Sequence, residues 1–232
     1  MAGSTGPEII TDGLVLALDA GNTKSYPGSG TTWSDLSGNG NNGTLTNGPT
    51  FNTGNGGSVV FDGTNDHVLG TLQSSIFTGP HSINCWFFRE TVKQWSGLFS
   101  NNVGTTSCSL LTFIDTTNRI GINRAGVSTT SISIDLGAGH LNKWINCCMT
   151  ISGVTNGSLV NVYAYMDGVL LTASGNLYWD MSSSSSYYIG RHWAAQTQVH
   201  DGYITQTSLY NRALSAEEIQ QNYNATKSRF NL

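Results

Sequence analysis

Short runs of Val, Ile, Leu, Phe, Tyr and Thr, each broken by Gly, Asn, Asp or Ser, recur along the whole chain. Such runs between turn formers are the signature of β-strands. They predict strands over residues 13–19, 58–62, 67–70, 82–90, 96–100, 107–115, 119–124, 128–135, 144–152, 159–166, 169–173, 187–190 and 202–210. No helical pattern intervenes, so the expected fold is all-β: a two-sheet antiparallel sandwich. One hairpin is well marked. Val160, Val162, Ala164 and Met166 alternate with Asn161, Tyr163 and Tyr165, and Asp167-Gly168 follows. That pair suits a two-residue turn whose central positions both need positive φ. Residues 22–57 are so rich in Gly and Asn that irregular structure is expected there, with Asp35 closing a turn through backbone N–H groups two residues on. Ser182–Ser186 is read as an exposed loop.

One helix is predicted, over 215–230, at the C-terminus. Ser215 and Glu218 have capping-box spacing, and Leu214 and Ile219 stand at the positions of a hydrophobic staple. Ile219, Tyr223, Thr226 and Phe230 form its apolar stripe. The helix is expected on the edge or rim of the sandwich. The organisation read from this is a short arm over 1–10 and a single domain over 11–232.

Composition supports a folded chain. Only 10% of its 232 residues are charged, against about 25% in a typical soluble protein. Yet 10% are aromatic, which a disordered segment would lack. Such a length buries roughly 70–75% of the unfolded surface and folds without disulfides or metals. The net charge is −4 and the ten Lys and Arg are scattered singly, so no basic footprint for nucleic acid exists. No run reaches the roughly 20 apolar residues of a membrane helix. Residues 1–7 lack the charged and apolar regions of a signal peptide. Synthesis in a cytoplasm, with no membrane partner, is the expectation. Cys85, Cys108, Cys147 and Cys148 lie in strand-like runs without metal-ligand spacing and are read as reduced, buried thiols.

Three segments then carry a family signal: Thr11–Ala20, Trp33–Gly43 and Val60–Val68. With Trp144 opening a late strand, the Asp167-Gly168 hairpin and the ending Tyr210–Ile219, they resemble laminin G-like domains of the concanavalin A-like lectin/glucanase superfamily. The spellings Leu18-Asp-Ala-Gly-Asn22 and Tyr210-Asn-Arg-Ala-Leu-Ser215 are similar to virion proteins of tailed bacteriophages. The resemblance spans roughly residues 9–230 and implies a jelly roll of two curved sheets and a binding activity toward carbohydrate or protein. It further implies a capsid decoration or a tail- or fibre-associated subunit on the virion surface, assembled in the host cytoplasm. Expected partners are other virion proteins, a host-cell glycan and further copies of the chain in a homo-oligomer. The alternative is a free or cell-surface carbohydrate-binding lectin that uses calcium.

Glycoside hydrolysis ordinarily needs two carboxylates flanking the scissile bond. The chain has four glutamates, Glu8, Glu90, Glu217 and Glu218, and none shares a strand face with a second acid in the spacing of the glucanase branch. No Gly-x-Ser-x-Gly elbow occurs either. A protein without catalytic residues is therefore expected. Asp62 and Asp66 flank Gly63–Asn65 and could suggest calcium, which takes six to eight oxygens. Capping of the turn is the preferred reading, so no cofactor is expected, with calcium left open. His67 is read as a surface strand residue. Sugar recognition uses an aromatic face beside fixed polar groups. Trp86 and Trp144 are assigned to the core and Trp33 to the sandwich end, which leaves Trp95, Trp179 and Trp193 near loops. The candidate ligand site is Arg191, His192, Trp193 and Asp201.

Overall fold

The structure is a computed structural model that describes residues 7–102, 108–113, 119–124, 131–135, 139–153, 158–179, 186–192 and 198–232. Strands are numbered along the chain. Among the described residues, two antiparallel eight-stranded sheets stack face to face. The first runs β14 (Val169–Trp179), β13 (Ser158–Met166), β12 (Trp144–Ser152), β7 (His81–Arg89), β16 (Asp201–Tyr210), β5 (Ser58–Asp62) and β4 (Thr50–Asn52), and β1 (Leu14–Asp19) also pairs with β16. The second runs β11 (Ser131–Asp135), β10 (Arg119–Arg124), β9 (Cys108–Phe113), β8 (Ser96–Asn102), β15 (Ser186–Ile189), β6 (His67–Thr71), β3 (Gly43–Thr46) and β2 (Thr32–Trp33). The jelly-roll expectation holds.

Alternation along each strand builds the core. Ile83, Cys85 and Phe87 of β7 point inward with Val160, Val162 and Ala164 of β13, and meet Phe99, Leu111 and Tyr187 of the facing sheet. The β13–β14 hairpin turns at Asp167 (φ 51°) and Gly168 (φ 79°), with Met166 opposite Val169. Cys147 joins this core while its neighbour Cys148 joins a smaller cluster on the outer face. Cys85, Cys147 and Cys148 are free and buried, and burial pushes the Cys85 thiol up to about 12. The Cys108 side chain lies outside the described residues.

Helix α1 (Ala216–Thr226) has the expected capping box at Ser215 and Glu218, and continues as a 3-10 turn over Lys227–Phe230. Its position differs from the rim expected. It lies on the outer face of the first sheet, over β7 at the sheet's centre. The Trp86 indole N–H donates to Thr226 Oγ1 at 2.8 Å. The same ring stacks on Tyr223 and Phe230 at centroid distances of 5.6 and 4.2 Å. The cause is that β7 carries large side chains on both faces, and leaving a tryptophan in water forfeits roughly 2–3 kcal/mol. Asp19 and Arg229 pair at 2.9 Å and anchor the tail of the chain to β1.

Further differences follow from strand pairing and packing. Residues 22–57 hold β2, β3 and β4 and are not wholly irregular; these strands have two to four residues and depend on partners far along the chain, such as β6 for β3. Asp35 organises this stretch as expected: its carboxylate accepts Ser37 N at 2.9 Å, and also Ala17 N at 2.8 Å and Asn41 N at 3.0 Å. Strand β14 continues to Trp179 because β13 pairs with it as far as Ser158. His67 is buried rather than on the surface, packed against Tyr188. Residues 182–185 of the serine tract, and the ends of the expected strands at 107, 114–115 and 128–130, lie outside the described residues; Ser186 opens β15.

Candidate functional site

Beyond the end of α1 the outer face of the first sheet presents aromatic rings. Phe88 stands opposite Trp144 on one neighbouring strand and opposite Tyr203 on the other. Cross-strand partners on one face lie within contact distance. The Phe88 centroid is 5.7 Å from Trp144 and 5.4 Å from Tyr203, and Trp144 lies 4.8 Å from Phe230. Phe88, Trp144 and Tyr203 are each partly exposed. The closeness of β16 to β7 depends on Gly202, whose φ is 136° and whose missing Cβ would lie 2.1 Å from the Phe88 carbonyl oxygen. Trp144 was assigned to the core from sequence; it borders the solvent instead, because it starts β12 and faces away from Ile145, Cys147 and Met149.

Polar groups surround this platform. Asn142 has a positive φ of 56° and its N–H donates to the Arg89 carbonyl at 2.9 Å, which sets the 139–143 loop beside Trp144. On the opposite side stand Asn52, Asn55, Glu90 and Ser58. The Ser58 hydroxyl is buried without a hydrogen-bond partner. Burial first, then the nearby Glu90 carboxylate, raises the Tyr203 phenol above the usual range. These residues enclose about 260 Å³. An adjoining space of about 430 Å³ is lined by His140, Lys143, Asp167, Phe230 and Leu232, together with Phe88, Asn142 and Trp144. Burial raises the Asp167 carboxyl above its ordinary value, against the Asn146 N–H bond that lowers it. Chemically the arrangement offers an apolar floor with polar walls, suited to a ligand with one hydrogen-rich face and hydroxyls at its rim.

The residues singled out from sequence are distributed differently. The Arg191 guanidinium lies 5.0 Å over the Tyr188 ring at the end of β15. His192 is 3% exposed and packs on Trp95; burial pushes its imidazole down to about 4. Asp201 belongs to the other sheet and accepts the Thr91 hydroxyl, while its backbone carbonyl receives the Glu90 N–H at 3.0 Å. Arg191 and His192 are thus near Trp95, whereas Asp201 neighbours the aromatic groove. Trp193 and the Trp179 side chain lie outside the described residues. Asp62 and Asp66 cap their own turn, taking Thr64 N at 2.8 Å and Asp62 N at 3.2 Å. Among the described residues, no three His, Cys, Asp or Glu side chains converge as a metal-binding group.

Residues 62–220 match a family model described as the concanavalin A-like lectin/glucanases superfamily. The chain belongs to this superfamily. A comparison with curated proteins finds no match. Among solved structures, domain 4 of AbnA, a GH43 extracellular arabinanase from Geobacillus stearothermophilus solved in complex with arabinotriose, superposes with a TM-score of 0.68 at 16% identity, covering 90% of this chain and 98% of that one. The Trypanosoma rangeli sialidase gives 0.70 at 18%, covering 99% of this chain and 35% of its own. The botulinum neurotoxin type G receptor-binding domain gives 0.63 at 17%, covering 91% and 51%. This chain therefore spans about a third of the sialidase and about half of the toxin domain. At such identities the likeness establishes the fold alone. It does correct one expectation. Two of these structures come from proteins named as enzymes, an arabinanase and a sialidase, so a concanavalin A-like fold of this kind is no ground for excluding a part in catalysis.

The groove was missed from sequence because the solvent-facing and helix-covered halves of one sheet face have the same alternation. A signal was present: Phe88, Trp144 and Tyr203 all stand out of phase with the core residues of their strands.

Proposed function

We propose that this concanavalin A-like domain binds carbohydrate in the groove floored by Phe88, Trp144 and Tyr203. The observation that carries the reading is the partly exposed aromatic platform walled by Asn52, Asn55, Asn142, Glu90 and the unpartnered Ser58 hydroxyl. Aromatic faces stack on the C–H face of a sugar, and the amides, hydroxyl and carboxylate take its hydroxyls. The arabinotriose complex of the similar arabinanase domain is consistent with it. No cofactor is invoked, since Asp62 and Asp66 are engaged within their own turn. A glycan array followed by titration of the best binder tests the reading. Trp144→Ala is expected to weaken binding by roughly tenfold or more, as loss of a central aromatic anchor does, while the folded circular dichroism spectrum is kept. Binding untouched by Trp144→Ala contradicts it.

The finer placement is an adhesion subunit on a virion surface, a homo-oligomeric capsid decoration or a tail- or fibre-associated protein that meets other virion proteins on one side and a host glycan on the other. Its support is the spelling of Leu18–Asn22 and Tyr210–Ser215. Co-sedimentation of the protein with assembled particles is expected. Recovery only as free protein contradicts this placement and favours a free or cell-surface lectin.

A further inference from the structure

The space around Trp144 has two sides that are one groove. The Tyr203 side holds about 260 Å³ and the His140 side about 430 Å³, and both are lined by Phe88, Asn142 and Trp144. Clefts that bury a drug-sized ligand run from roughly 300 to 1,000 Å³. The Tyr203 side alone falls short of that range, whereas the two sides together lie within it. The floor is aromatic along its partly exposed length, where Tyr203, Phe88 and Trp144 follow one another at contact distance, and the buried Phe230 backs Trp144. Successive sugar rings of one chain could each find an apolar face there.

The charges differ between the two ends. On the Tyr203 side Glu90 is the sole carboxylate or cation among the described lining residues, and its charge acts on the Tyr203 phenol. On the His140 side Lys143 and Asp167 carry opposite signs. A sugar carboxylate near Glu90 meets a like charge, and like-charge juxtaposition is a means of rejecting the wrong partner.

Resting on the carbohydrate reading above, we infer that the ligand is a short neutral oligosaccharide lying across Trp144, and that Glu90 excludes acidic sugars from the Tyr203 end. Isothermal titration of the full chain with malto-, cello- and arabino-oligosaccharides, from monosaccharide to pentasaccharide, tests the first part. Oligogalacturonides of matching length test the second. In the series that binds, affinity is expected to rise roughly tenfold or more from monosaccharide to trisaccharide, a gain of about 1.4 kcal/mol, and then to level. Glu90→Gln, which removes the charge and keeps a hydrogen-bonding group, is expected to strengthen oligogalacturonide binding several-fold and so to narrow the preference for neutral chains. Trp144→Phe serves as a second variant should Trp144→Ala unfold, and is expected to lower trisaccharide affinity more than monosaccharide affinity. A monosaccharide that binds as tightly as the trisaccharide, yet is lost in Trp144→Ala, overturns the extended ligand and leaves the carbohydrate reading standing. Oligogalacturonides that bind as well as neutral chains overturn the role of Glu90. Absence of binding to every glycan on an array removes the carbohydrate reading itself, and this inference with it.

Discussion

His81 and His200 are fully buried and His192 nearly so, and burial holds all three imidazoles down to about 4. His200 bonds the Phe88 carbonyl through Nε2 at 3.1 Å, so the strand that carries the aromatic platform depends on this neutral ring. An unfolded chain titrates its histidines near 6.5. Between about 6.5 and 4 the unfolded state therefore binds protons that the folded state does not. Stability is full above that window, falls as the pH drops through it and levels once the folded state also protonates. For the fully buried His81 and His200 the loss is roughly 3 kcal/mol apiece at its acid end. Set against a net stability of about 5–15 kcal/mol, this is large. Thermal melting followed from pH 8 to pH 4 is expected to show a plateau above pH 7 and a steep fall below pH 6. A flat melting temperature down to pH 4.5 contradicts buried neutral histidines.

At the scale of elements, what the sequence revealed and what it concealed divide by how local the determining physics is. The hairpin at Asp167-Gly168 and the capping box at Ser215 and Glu218 are contained within a few residues, and both are found where the pattern places them. Long strands such as β12 keep their expected bounds because alternation over nine residues is unambiguous. β2, β3 and β4 were hidden, since two to four residues among glycines become strands only when distant partners supply the hydrogen bonds. The seat of α1 was hidden likewise. Its stripe of Ile219, Tyr223, Thr226 and Phe230 says that one face is covered, and only the outward Trp86 of β7 says by what. The groove follows from that seat: the helix ends at Phe230, and the aromatic face that continues past it, through Trp144 and Phe88 to Tyr203, is left partly open. Arg191, His192 and Asp201 were grouped because only eight residues lie between Arg191 and His200. In the fold that stretch passes from the second sheet to the first, with Arg191 bridged to Val199 and Asp201 opening β16.

At the scale of the whole molecule, two stacked sheets and, among the described residues, one α-helix frame the groove. The core between the sheets is apolar, and its thiols are shut away from solvent. The outer wall of the first sheet is closed by α1 over its centre and opens beside it into a groove with an aromatic floor. Sites on strands are held more rigidly than sites on loops. Phe88 stands on β7, and Trp144 and Tyr203 stand on the two strands that pair directly with it. The walls come from the turn around Asn55 and the loop around Asn142, segments that tolerate change without rebuilding the floor. A crystal structure of the protein grown with a neutral trisaccharide, arabinotriose or maltotriose, decides where such a ligand rests. Sugar rings lying over Trp144, with hydroxyls on Asn142 and Glu90, are the expected result. Sugar seated instead beside Arg191 and Trp95, with the Trp144 face bare, would contradict it.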